Sequence, residues 1–201
     1  MVQIIINQVG LSLGETEAIN NLFSNYYIDE NILDNDFEFA SILEIQFIKD
    51  KNIEFFDFIS IEKWSILIEI IKNIKKRRGK KGLKLKIIII EIGKSNYENN
   101  NNEKDKENYD ESNQEIIFRE TTFLLNQKND LDFIKGLERI EVTIENLSEI
   151  YELQKLKEEK EEINKNRADE NVKSSIIFTF NEINRKWIRF TETTSSIKKS
   201  K

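Results

Sequence analysis

The chain is predicted to fold in the α+β class, as a mostly antiparallel or mixed β-sheet with about three helices packed on it and many hairpins. Three observations predict this. Apolar residues gather into short runs rich in Ile and Phe, of strand length, bounded by polar turns. Several of these runs follow one another with only a few polar residues between them, the spacing of hairpins. One widely apolar helical stretch, Ile61 to Ile74, needs a sheet to lie on.

Taken in order, Val2 to Val9 is an Ile-rich first strand. Gly10 and Gly14 lead into a short helix over Glu15 to Tyr27, with Glu15 and Glu17 at its positive end. Strand, glycine and helix in this order invite a phosphate-loop reading. That loop needs Lys and Ser or Thr directly after its second glycine. Here Glu15 and Thr16 follow Gly14, and the acid repels a phosphate. Asp29 to Glu38 is acidic and turn-like. Asp34 and Asp36 match the first spacings of a calcium loop, but Phe39 stands at the glycine position and Ile45 at the closing Glu position.

Ile42–Ile48 and Ile53–Ile59 flank the polar turn Lys49 to Asn52 and are expected to form a hairpin. Ser60 is a natural N-cap for the next helix. On that helix Ile61, Trp64, Ile68 and Ile71 mark one face, and Leu67, Ile70 and Ile74 widen it. Leu83 to Ile92 is the most apolar strand, and its four consecutive isoleucines, Ile87 to Ile90, place it centrally with both faces buried. Residues 93–114 are polar, Asn-rich and without periodicity, which predicts a disordered insertion. Glu115 to Leu125 resumes the sheet. Ile140, Val142 and Ile144 alternate with polar residues over Arg139 to Glu145, the pattern of a half-exposed strand. Asn146 caps a helix carrying Leu147, Ile150, Leu153 and Leu156. Ser175–Asn181 and Lys186–Thr191 close the fold as a second hairpin. The chain is thus expected to form one domain over residues 1–193, with the insertion inside it and a disordered tail over 194–201.

Composition narrows the chemistry. Of 201 residues 38% are hydrophobic and 34% charged, but the apolar ones are clustered, as a core requires. The chain has neither Cys nor His. Disulfides, thiolate chemistry, histidine bases and imidazole metal ligands are therefore ruled out. Carboxylate, Lys, Tyr, Ser and Thr chemistry remain. Glu44, Asp57 and Glu91 lie in apolar segments, where neighbouring strands could bring two carboxylates together for a metal-assisted hydrolase. A polar face or strand end explains each equally well. No motif calls for a cofactor. The net charge is −6, and no apolar run reaches the ~20 residues of a membrane span, so a soluble, cytoplasmic protein is expected.

One signal is concentrated. Lys72, Lys75, Lys76, Arg77, Arg78, Lys80, Lys81, Lys84 and Lys86 crowd the end of a helix and the following turn. Cations suit a helix C-terminus, but the dipole does not demand nine. The cluster is a candidate edge for nucleic acid, an acidic protein or an anionic surface, and its segment 75–81 also resembles a nuclear-import signal in composition. The bland account is a solvated turn in a Lys-rich chain whose Ile, Lys, Asn and Phe usage follows AT-rich codons. No aromatic residue interleaves the cations, so any nucleic-acid recognition would be electrostatic. In the last strand Trp187 and Arg189 share one side and Ile188 and Phe190 the other. With the latter pair inward, Trp187 and Arg189 would form an exposed interface pair. Cross-strand packing accounts for them equally.

These residues point to a non-enzymatic interaction or regulatory protein that binds a macromolecule through its sheet surface or basic turn. Its partner would be another protein. The alternative is an electrostatic RNA- or DNA-binding protein, and the carboxylate hydrolase stands third. Oligomeric state is not legible in the residues.

Overall fold

The computed structural model describes residues 3–34, 38–94, 115–153 and 174–190. Residues 95–114 of the expected insertion, the tail, residues 35–37 of the calcium-like run and the charged stretch after Leu153 lie outside the described residues; Gly93 and Lys94, expected to open the insertion, continue the preceding strand instead.

Seven strands form one mixed sheet: β1 (Gln3–Val9), β2 (Tyr27–Ile32), β3 (Ser41–Asp50), β4 (Leu83–Lys94), β5 (Glu115–Leu125), β6 (Ser174–Asn181) and β7 (Lys186–Phe190). Their order is β2-β1-β3-β4-β5-β6-β7. Parallel pairs β1·β2, β3·β4 and β5·β6 alternate with antiparallel pairs β1·β3, β4·β5 and β6·β7. The α+β expectation holds, in its mixed-sheet form. The Ile-rich β4 is the middle strand, as its apolar run predicts.

Each parallel pair is bridged by helix. Between β1 and β2 lies α1 (Leu13–Leu22), and between β3 and β4 lie the short α2 (Phe55–Phe58) and the long α3 (Ile61–Arg77). Between β5 and β6 come α4 (Asp130–Glu138), α5 (Ile140–Glu145) and a helical run over 147–153. Ser60 caps α3 as expected, whereas the Asn146 side chain, expected to cap the run after it, donates back to Val142 O at 2.6 Å. The Ser12 N–H donates to Glu15 Oε2 at 2.8 Å, Ser60 Oγ accepts from Lys63 N, and Asn129 Oδ1 accepts from Leu131 N and Asp132 N. No described helix is long and apolar enough to cross a membrane.

The core lies on one side of the sheet. From the strands it takes only one parity: Ile4, Ile6, Leu43, Ile45, Phe47, Leu85, Ile87, Ile89, Phe123, Leu125, Ile176, Phe178 and Phe180. Trp64, Leu67, Ile71 and Ile74 of α3 pack against this face, and the Trp64 ring sits among Phe47, Phe55 and Phe56. The opposite parity faces away from every described helix.

Two expected strands are helical instead. The hairpin partner Ile53–Ile59 is absent because α2 turns Phe55 and Phe58, three residues apart, onto the core together. There Phe55 meets Phe47 edge-on, and the Tyr26 hydroxyl donates to Phe58 O at 2.9 Å. The place beside β3 goes to β4, in parallel. Residues Arg139–Glu145 are likewise no strand. Ile140 and Ile144 are buried, but Val142 is 58% exposed. In a strand all three would share a side; in a helix the first and third do and the second does not. The acidic stretch near Asp29 begins as edge strand β2 rather than turn, held by pairing to β1.

Candidate functional site

The basic cluster breaks up into structural contacts. Lys72 sits between Glu69 and Glu138, each 2.9 Å away, and bonding first to Glu138 and then to Glu69 raises its pKa. Lys75 is fully buried. Its ammonium donates to Lys128 O at 2.8 Å, pairs with Asp130 at 3.1 Å and lies over the Phe133 ring. It fastens the end of α3 to the start of α4. Gly82, at φ 72°, leaves room for it: a Cβ there would stand 3.1 Å from Lys75 Nζ. The Arg78 guanidinium donates to Glu15 and to Ser41 Oγ, and Ser41 Oγ donates to Gly10 O at 2.7 Å. Gly10, at φ 74°, makes the tight turn after β1, with Ala40 O only 2.4 Å from where a Cβ would be. Burial pushes the Glu15 carboxyl up, but bonds from Ser12 and Arg78 outweigh it and hold the carboxyl below its usual range. The glycine–helix turn, which lacks the residues of a phosphate loop, thus carries a clasp between the buried Glu15 and the half-buried Arg78. Lys86 belongs to another network, 3.0 Å from Glu44.

What remains open to solvent is smaller: Lys76, Arg77, Lys80 and Lys81, at the end of α3 and in the 3₁₀ turn Gly79–Lys81. Arg77 reaches Glu15 Oε1 at 3.5 Å.

The three carboxylates do not converge. Asp57 is exposed on α2. Glu91 is on the helix side, 2.7 Å from the buried Lys49 and 3.7 Å from Arg119. Lys49 also donates to Ile53 O, and Arg119 stacks over Tyr151, whose hydroxyl lies 2.6 Å from Thr121 Oγ1. Burial pushes the Tyr151 hydroxyl up to about 12. Glu44 is on the other side of the sheet. Glu91 and Glu44 each neutralise cations, at the sheet's end and on its face.

Trp187 also turns inward. Its indole Nε1 donates to Gly136 O at 3.1 Å, and its ring meets Phe123 and Phe180 edge-on. The sharing of one side with Arg189 is as expected, but that side faces α4, so Ile188 and Phe190 take the exposed side. Arg189 is exposed at the sheet edge. Strands β5 and β6 separate β7 from β4, so the pair and the basic turn belong to different regions, roughly 14 Å apart in strand spacings.

The helix-free face carries a pattern that residue order alone did not disclose. Across β2, β1, β3 and β4 runs a polar ladder: Asn31 donates to Asn7 at 3.1 Å, Asn7 to Glu44 at 2.8 Å, and Lys86 pairs with Glu44 from the far side. Gln46 donates to the same carboxylate at 2.7 Å. Burial pushes Glu44 up, but Lys86, Gln46 and Asn7 bring it below its usual range. Toward β7 the face turns apolar. Ile88 and Thr122 are buried side by side in the register, then Ile177 is 38% exposed, Ile188 42% and Phe190 51%. The residue rows come from strand register, which a linear reading does not supply.

Among the described residues, the fold and this surface define an α+β domain with a mixed seven-stranded sheet, helices on one side and a polar-to-apolar face on the other. Compared with protein-family models, curated proteins and solved structures, the chain matches none.

Proposed function

We propose that this is a non-enzymatic interaction protein that takes a partner protein on the helix-free face of its sheet. The carrying observation is that face: Ile177, Ile188 and Phe190 stand exposed together at one end, and the Asn7–Glu44–Lys86 ladder offers polar contacts at the other. An exposed apolar patch rimmed by polar groups is the composition of a protein-binding surface. The ladder holds its side chains in place before a partner arrives, which lowers the ordering cost of binding.

A second reading rests on Lys76, Arg77, Lys80 and Lys81, adjacent exposed cations that suit an acidic surface or a phosphate backbone. Cytoplasmic residence accords with either reading and is part of the proposal.

The test places a photo-crosslinking residue at Ile177 or Phe190 in one set of proteins and at Lys80 in another. The sheet reading expects one partner protein captured from either sheet position, lost when the other of the two is changed to Asp while the melting temperature holds. In parallel, fluorescence anisotropy with labelled RNA and duplex DNA is followed from low to physiological salt. Salt-sensitive binding that vanishes when Lys76, Arg77, Lys80 and Lys81 become Glu would overturn the sheet reading in favour of the basic turn.

A further inference from the structure

Among the described residues β7 is the last strand of the sheet: it pairs with β6 on one side and with no strand on the other. Its outer backbone N–H and C=O groups therefore face outward, a template for another strand. The five residues are Lys186, Trp187, Ile188, Arg189 and Phe190. Their order is cation, aromatic, isoleucine, cation, aromatic.

We propose that β7 pairs antiparallel with β7 of a second copy of this chain, about a two-fold axis at Ile188. This register matches each residue type to a suitable partner. Ile188 meets its own copy, Trp187 lies opposite Arg189 of the second copy, and Lys186 lies opposite its Phe190. Every cation faces an aromatic ring and no cation faces a cation directly, so the pairing gains cation–π contacts without opposed like charges. An axis on any other residue of β7 loses this match. The interface is isologous and closes at a dimer. Because the axis stands perpendicular to the sheet, the two helix-free faces lie on the same side of a fourteen-stranded sheet (two sheets of seven strands). The edge is engaged through the backbone, so Ile188 and Phe190 stay on the face, and the inference does not depend on what that face binds.

The other free edge, β2, is acidic at Asp29 and Glu30 and is the competing occupant. The register that sets Asp29 opposite Lys186 carries Arg189 and Phe190 beyond Tyr27, where β2 begins, and the one that sets Asp29 opposite Arg189 places Ile188 against Glu30 and Lys186 against Ile32, so neither pairs both cations with an acid inside the strand. Such a contact is also head-to-tail and propagates into open sheets instead of closing.

The chain has no cysteine, so single-cysteine variants of the full-length protein read the register directly. Directly opposed Cα atoms in an antiparallel pair lie about 4.5–5.5 Å apart, within disulfide range. Two copies of residue 190 would be about 13 Å apart along the strands. Ile188→Cys, Phe190→Cys and Tyr27→Cys are oxidised separately, and their circular-dichroism melts confirm that each is folded. The proposal expects covalent dimer from Ile188→Cys at least about ten-fold faster than from the other two. It also expects the wild-type chain to sediment as a concentration-dependent dimer that persists as salt rises, and Ile188→Lys, which sets like charges across the axis, to sediment as monomer. Equal crosslinking rates, a wild-type monomer at sub-millimolar concentration, or species larger than a dimer that dissolve with salt would each overturn it; the last would assign the contact to β2.

Discussion

Arg78 and Lys76 sit two positions apart in one basic run and do unrelated things. Arg78 is half-buried, bonded to the buried Glu15 and Ser41, while Lys76 is solvated. Removing one partner of a buried pair leaves the other charge uncompensated, so Arg78→Ala should cost about 3 kcal/mol, read from the denaturant midpoint. Lys76→Ala should stay within about 0.5 kcal/mol. The same logic governs acid stability. Glu15 and Glu44 both titrate below their usual value in the folded protein. A lowered folded pKa means that the unfolded chain binds the proton first. Their contribution is therefore complete above the unfolded carboxylate value and is lost as pH falls through the lowered folded one. Glu44→Gln should be less stable than wild type at about pH 6, and the gap in melting temperature should narrow toward about pH 3. A gap that does not change with pH would show that the Glu44 charge is irrelevant to the ladder.

At the scale of elements, the helical layer between β5 and β6 follows a stripe that spans three separate sequence expectations. Phe133, Leu137, Ile140, Ile144, Leu147 and Tyr151 recur every three or four residues and are all buried. The alternation at Ile140, Val142 and Ile144 conceals it, because residues four apart satisfy both periods. Only Val142 separates them. Val142→Asp should leave the melting temperature nearly unchanged, whereas Ile140→Asp should abolish cooperative unfolding; a similar loss from both would argue for the strand. Gly136 marks where this layer touches the sheet. A Cβ there would stand 2.5 Å from Leu125 Cδ1 and 3.0 Å from the Phe180 ring. Alanine favours a helix over glycine by about 1 kcal/mol, yet overpacking a core costs about 1–3 kcal/mol. Gly136→Ala should therefore be a net loss, with fluorescence of Trp187 shifting as its bond to Gly136 O is disturbed.

For the whole molecule, the sheet's register explains why the long insertion is tolerated. β4 and β5 are paired as far as Lys94 and Glu115, which stand directly opposite each other. Deleting residues 95–112 leaves Asn113 and Gln114 as a two-residue hairpin connection. Shortening the loop saves closure entropy of about 2 kcal/mol before any turn strain. Thermal unfolding of the deletion protein should show a melting temperature no lower than that of the full chain. A substantial fall would mean that the segment packs against the sheet.

The residues by themselves determined the α+β class, the central place of the Ile-rich strand, the long helix after Ser60 and the closing hairpin. Each depends on local signals: an unbroken apolar run, a capping serine, a turn between two apolar segments. Tertiary structure decided what periodicity left degenerate. Phe55 and Phe58 form a helical turn because the core takes both, Phe55 against Trp64 and Phe58 against Tyr26, and Trp187 faces inward because α4 covers that side of β7. It also decided the meaning of charge. Lys75 and Arg78 look like solvent-facing cations in sequence, since the acids that pair with them, Asp130 and Glu15, lie more than fifty residues away along the chain. Ion pairs form across the folded surface and leave no trace in local spacing, so the exposed remnant of the basic run and the helix-free face emerge only from the register of the strands.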